Sequence, residues 1–240
     1  MILPRNLLDF LPVQDFLLAL PVLLFSMVAH EYAHGYAALK QGDDTALMLG
    51  RLTFNPVKHI DPWMSILLPT LLWFGSNGRF IFGGAKPVPV NPRKYRRYVR
   101  GDIIVSSAGI VVNLILAALC TLGFAAIGIL GESVGAVSSA HPLVLLQRMA
   151  FIGISLNLVL AFFNLIPIPP LDGSHIFYHV LPPALGARYR ALTPYGLMVL
   201  PLLLFMAPSV FNLLLMPAIV LNGAAVNLVA RYSIQPVAGW

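Results

Sequence analysis

The sequence predicts an all-α polytopic membrane protein with about four to six transmembrane helices, interrupted once by a small re-entrant or β-hairpin element. Three observations predict it. Of 240 residues, 58% are hydrophobic and only 10% are charged, where soluble domains carry about 25% charged residues. The apolar residues gather into runs of about 20, the length a helix needs to cross a bilayer core. The basic residues lie in short gaps between those runs, and five of them, Arg93, Lys94, Arg96, Arg97 and Arg100, fall in the ten residues NPRKYRRYVR. A formal net charge of +6 distributed in this way points away from nucleic acid and toward cytoplasmic loops near anionic headgroups.

The apolar runs follow in order. The first covers about 16–39; the stretch before it, with Arg5 diluted by Asp9 and Asp15, is a weak signal sequence and reads as the start of an uncleaved span. Residues 60–74 are apolar but short, and contain Pro69. Residues 79–92, RFIFGGAKPVPVNP, are rich in β-formers, Gly and Pro and read as an extended hairpin or edge strand. Long spans are expected at 103–130 and at about 143–168. The region 197–230 holds Pro201, Pro208 and Pro217 and reads as one kinked helix or a tight helical pair. The whole chain, 1–240, is expected to be one membrane domain, with a core at about 16–180 and a C-terminal helical region at 193–231.

Charge orients these runs. The gap 131–142 has no Lys or Arg, whereas 86–100 is strongly basic and 186–190 holds Arg188 and Arg190. The first gap is therefore expected outside and the other two inside. Lys40, Arg51 and Lys58 place the loop after the first span inside as well, so 60–74 cannot be a single crossing. A single cysteine, Cys120, excludes an intrachain disulfide.

The chemistry begins at His30-Glu31-Tyr32-Ala33-His34. On a helix, side chains at i and i+4 share a face, so both imidazoles can reach one metal, with Glu31 beside them as a base. A cation and a water would hold a carboxylate that hydrocarbon rejects. The plainer alternative is a polar helix–helix contact. Zinc with one open position expects three protein ligands. Asp172, after Pro167, Pro169 and Pro170 and before Gly173, is the third candidate; its alternative is an N-cap for the next helix. His175 and His179 form a rival pair without a glutamate between them. Asn164 could donate to an oxyanion or hold a substrate backbone, and Asn113, four residues after Gly109, shares that ambiguity with an interhelical hydrogen bond.

Together these residues resemble the site-2 protease family, zinc metalloproteases that cut peptide bonds within membranes. HEYAH (30–34), Gly109 with Asn113, and NLIPIPPLDG (164–173) carry the resemblance, while GRLTFNPVKHIDP (50–62) and GGAKPVPVNP (83–92) are similar to a compact bacterial subgroup without PDZ or CBS domains. The resemblance implies one zinc per chain on His30, His34 and Asp172, with Glu31 as general base. It implies that Asn164 and Asn113 position substrate or stabilise the oxyanion, with Gly84, Pro87 and Pro167 lining the substrate path. It further implies a bacterial inner-membrane protein, a site opening toward the cytoplasm, and an unwound transmembrane client that pairs with 79–92 by strand addition. No chemical role follows for His59. The competing class, a membrane metal-binding or transport protein, needs ligands but no base at Glu31.

Overall fold

The computed structural model describes residues 12–235 apart from 77, 79, 80, 82, 137 and 140. The signal-like stretch before Pro12 lies outside the described residues, as does part of 79–92. Helix α1, Pro12–Gln41, runs for 30 residues, with Asp15 in its first turn and Lys40 in its last, as the helix dipole favours. At 1.5 Å per residue it is about 45 Å long, more than a bilayer core. A turn leads to the short α2, Thr45–Met48. Residues Pro62–Leu67 then form a π-helical turn, capped by Asp61, that continues into α3, Leu68–Gly75. This stretch is apolar but too short for a crossing.

Helix α4, Tyr98–Ser133, is the longest at 36 residues. Helix α5, Pro142–Asn164, starts with proline where no N–H is needed, and the His141 ring accepts from the Leu143 N–H. The prolines after Asn164 then break the chain before α6, Asp172–Val180. The remainder is α7, Pro183–Arg190, α8, Thr193–Met206, α9, Pro208–Leu214, and α10, Met216–Val229. Pro208 and Pro217 lie in the first turns of α9 and α10, so each proline starts a helix where a continuous one would have been kinked. Three helices, α1, α4 and α5, are long and apolar enough to cross a membrane, and α9 with α10, bent by 57°, makes a fourth if the pair is one span.

These helices pack through small side chains. Ala117 of α4, Ile154 and Leu158 of α5 and Ala218 of α10 are buried together, and Ala37 and Ala38 of α1 meet Val105 of α4. With little hydrophobic drive between helices in lipid, close approach and interhelical polar bonds do the holding. Arg148 of α5 pairs with Asp15 of α1 at 2.7 Å, and the buried Gln147 donates to the carbonyls of Phe124 and Tyr232. On the outside, Leu17, Leu119, Leu122 and Ile129 stand exposed, a surface that suits acyl chains and not water. The chain is a multi-pass, all-helical membrane protein.

The expected hairpin takes a different form. Among the described residues there is no strand, and 83–91 runs without a ladder. Pro87 and Pro89 supply no N–H, so a regular ladder is unavailable to this segment. It is pinned at single points instead. Gly84 N–H donates to Met64 O, the Ser65 hydroxyl donates to Gly84 O, Lys86 N–H donates to His59 O, and Asn91 N–H donates to Asp43 Oδ2. Arg51 reaches the carbonyls of Lys86 and Pro87. His59 is buried and its Nε2 donates to Thr53 O at 2.8 Å, which gives this histidine a structural part: it anchors the loop on which Lys86 rests.

Candidate metal centre

Helix α1 presents His30 and His34 one turn apart toward α4 and α6, and the first residue of α6 is Asp172. One donor atom from each of His30, His34 and Asp172 lies within 4.8 Å of the other two, and no other trio of His, Cys, Asp or Glu among the described residues does so. The two Nε2 atoms are 2.9 Å apart, and Asp172 Oδ2 lies 3.2 Å from that of His30 and 3.3 Å from that of His34. The helix start itself has no side-chain cap. Leu171 is the N-cap residue and Asp172 already lies inside the helix, so Asp172 faces the histidines and not the backbone. Gly173 permits this turn, since a Cβ there would meet Leu165 O at 2.1 Å.

The surrounding bonds fix which ring nitrogens carry protons. His34 Nδ1 is 2.7 Å from Val105 O; a carbonyl only accepts, so this nitrogen donates. Asn157 Nδ2 donates to Gly153 O, which turns Asn157 Oδ1 toward Asn113 Nδ2 at 2.8 Å. Asn113 Oδ1 then faces His30 Nδ1 at 2.6 Å, and that nitrogen must donate too. Both rings therefore turn Nε2 into the site, and in their neutral form each offers a lone pair there, beside a buried carboxylate oxygen, Asp172 Oδ2, that has no hydrogen-bond donor. Three potential ligand atoms converge there. A divalent cation that accepts nitrogen and oxygen ligands resolves that arrangement, and zinc fits the donor set.

The pairing of Gly109 with Asn113 is explained by the same ring. A Cβ at Gly109 would sit 2.4 Å from His30 Cε1, so only glycine leaves room for the imidazole to lie against α4. One turn further on, Asn113 holds that imidazole. Asn113 is completely buried, and its side chain is bonded to His30 and Asn157, the interhelical hydrogen bond that is the alternative to a place on the substrate path. Sequence reasoning missed its partner Asn157, also buried, although a lone amide in an apolar span is the signal that singled out Asn113.

Glu31 stands outside the three-donor cluster, and its Oε2 accepts from the Val88 N–H at 2.7 Å. Val88 is flanked by two prolines, so this N–H is the only one that residues 87–89 possess. The segment thus touches the site through Glu31. Asn164 ends α5 half-buried with its Nδ2 donating to Leu160 O at 2.9 Å. Pro167 is exposed and its carbonyl accepts from the Tyr189 hydroxyl, while Gly84 and Pro87 lie in the pinned segment. None of these four belongs to the ligand cluster. His175 and His179 are not brought together as metal donors, because both turn to Asp102.

Comparison with known proteins gives the same direction. Residues 125–208, a stretch that includes Asp172, match Peptidase family M50. The "Putative zinc metalloprotease YwhC" of Bacillus subtilis is 42% identical over 186 residues, 78% of this chain and 78% of that protein. The "Putative zinc metalloprotease Rip2" of Mycolicibacterium smegmatis is 34% identical over 193 residues, 79% of this chain and 67% of that protein. Its namesake in Mycobacterium tuberculosis strain Erdman is 33% identical over 189 residues, 78% of this chain and 65% of that protein. No solved structure matches significantly.

Proposed function

Because this chain belongs to peptidase family M50, the site-2 protease family, we propose that it is a zinc metalloprotease that cuts peptide bonds within or near transmembrane segments of membrane protein substrates. The observation that carries the reading is the convergence of three potential metal donors inside an apolar bundle, with Glu31 beside them but outside their set. Bound at His30, His34 and Asp172, zinc supplies Lewis acidity toward water and the scissile carbonyl.

The chain's own groups do the rest. The Val88 N–H holds Glu31 Oε2, leaving Oε1 to take the proton of the attacking water and later return it to the leaving amine. A transmembrane helix buries its carbonyls in its own hydrogen bonds, so a client must first unwind. The non-helical segments at 83–91 and 165–171 are where such a chain can lie, which keeps Gly84, Pro87 and Pro167 as its lining. Asn164 closes that wall, and donation to an oxyanion requires its amide to leave Leu160 O. A pure metal carrier has no use for a base fixed by a backbone amide.

The direct test is metal content. One zinc per chain is expected for the purified protein, and Asp172→Ala and His34→Ala should each lose it with helicity intact. Unchanged stoichiometry in both variants would place the metal elsewhere.

Orientation in a bacterial inner membrane follows from charge. The 131–142 loop is assigned outside, the basic 86–100 loop inside, and the site toward the cytoplasm. Ser138 and Arg93 are both exposed, so cysteines placed there in a Cys120→Ser background should label from opposite sides. Labelling from one side would sink the orientation.

A further inference from the structure

Helix α6 starts at the metal site, where Ile166 and Leu171 pack the chain just before Asp172 into a buried apolar cluster with Phe163, Phe211 and Leu215. A polar anchorage is added at its other end. His179, two turns on, places Nε2 2.7 Å from Asp102 Oδ2 of α4, and His175 Nδ1 lies 3.5 Å from Oδ1 of the same carboxylate. Asp102 and the His179 side chain are only 6% and 5% exposed as side chains, against 51% for His175. The His179 ring meets Tyr98 and Tyr178 edge-on, which fixes its plane. A buried carboxylate is tolerated only with such a partner, so the contact is selective about its geometry.

The position of Asp102 on α4 gives the contact its meaning. Val105 O, which holds His34, Gly109, which makes room for His30, and Asn113, which holds His30, follow Asp102 at spacings of three, four and four residues. Residues at these spacings share one helical face. One face of α4 therefore touches the supports of all three ligands. We propose that Asp102 and His179 are positioning residues, which register α6 against this face and so hold Asp172 within ligand distance of His30 and His34. The proposal rests on the zinc reading of those three residues. It is not a second metal site, because the donors of Asp102, His175 and His179 do not converge as those of the first site do.

The test uses the full chain in nanodiscs, zinc-loaded, with zinc release followed by a chromogenic chelator and melting followed with and without zinc. His179→Leu keeps bulk and removes the bond, whereas His179→Gln offers an amide Nε2 at similar reach. Release from the Leu variant should be about tenfold faster or more, the scale on which outer-sphere partners act, with the zinc-induced rise in melting temperature reduced. The Gln variant should restore both toward wild type. If His179→Leu does not fold, Asp102→Asn, of equal size but uncharged, carries the same two readouts. A contact that only packs helices would lower melting equally with and without zinc and leave release unchanged, and that result would overturn the proposal, as would equal release from the Leu and Gln variants. A wild-type chain that takes up no zinc would overturn the metal reading itself.

Discussion

Glu31→Gln should keep one zinc per chain and lose essentially all cleavage of a transmembrane peptide. The two side chains are nearly isosteric, and the amide oxygen of the substituted side chain can still accept the Val88 N–H that Glu31 Oε2 accepts at 2.7 Å, so the segment stays in place. The ligand cluster of His30, His34 and Asp172 does not include Glu31, so metal content should not change. What disappears is the one group placed to take a proton from the attacking water. General-base catalysis contributes about 10²–10⁴-fold on its own, and the neutral amide also gives the leaving amine no proton. Zinc content and cleavage measured on the same sample decide the matter. Wild-type cleavage by a zinc-loaded Glu31→Gln protein, free of other proteases, would end the metalloprotease reading.

Gly109→Ala should be nearly as damaging although it adds one methyl group and touches no ligand covalently. The new Cβ would lie 2.4–2.6 Å from three atoms of the His30 ring. A long flexible side chain could swing away, but this ring is tied by Nδ1 to the buried Asn113, and moving it takes Nε2 out of the site. A loss of about a hundredfold or more in zinc affinity is expected, at or beyond the upper end for removal of a supporting partner. The helix content by circular dichroism should be unchanged, since alanine is the better helix former. Zinc affinity equal to wild type would mean that the ring does not rest on α4.

The parts of this site that are legible in the sequence are those set by local geometry. His30 and His34 share a face because a helix turns every 3.6 residues. Asp172 stands out because Pro167, Pro169 and Pro170 must break the chain before it. The long spans follow from the length of their apolar runs. The unread parts depend on how helices cross. Nothing in the residues near Asn157 says that it meets Asn113, 44 positions away, or that His179 reaches Asp102, 77 positions away. Asn113 therefore stays open in sequence between a substrate contact and an interhelical hydrogen bond, and the structure shows it bonded to His30 and Asn157. The β-formers at 79–92 suggest an edge strand, but the prolines within it decide against a ladder, and its polar bonds go to Met64, His59, Glu31 and Asp43.

The prolines flanking Val88 also set what any visiting chain can exchange there. Pro87 and Pro89 bring carbonyls without N–H groups, and the single amide between them is committed to Glu31. A client laid along this stretch can give its own amide protons to those carbonyls but receives none in return. A segment that cannot zip up in this way also cannot recruit a neighbouring copy's backbone into an endless sheet.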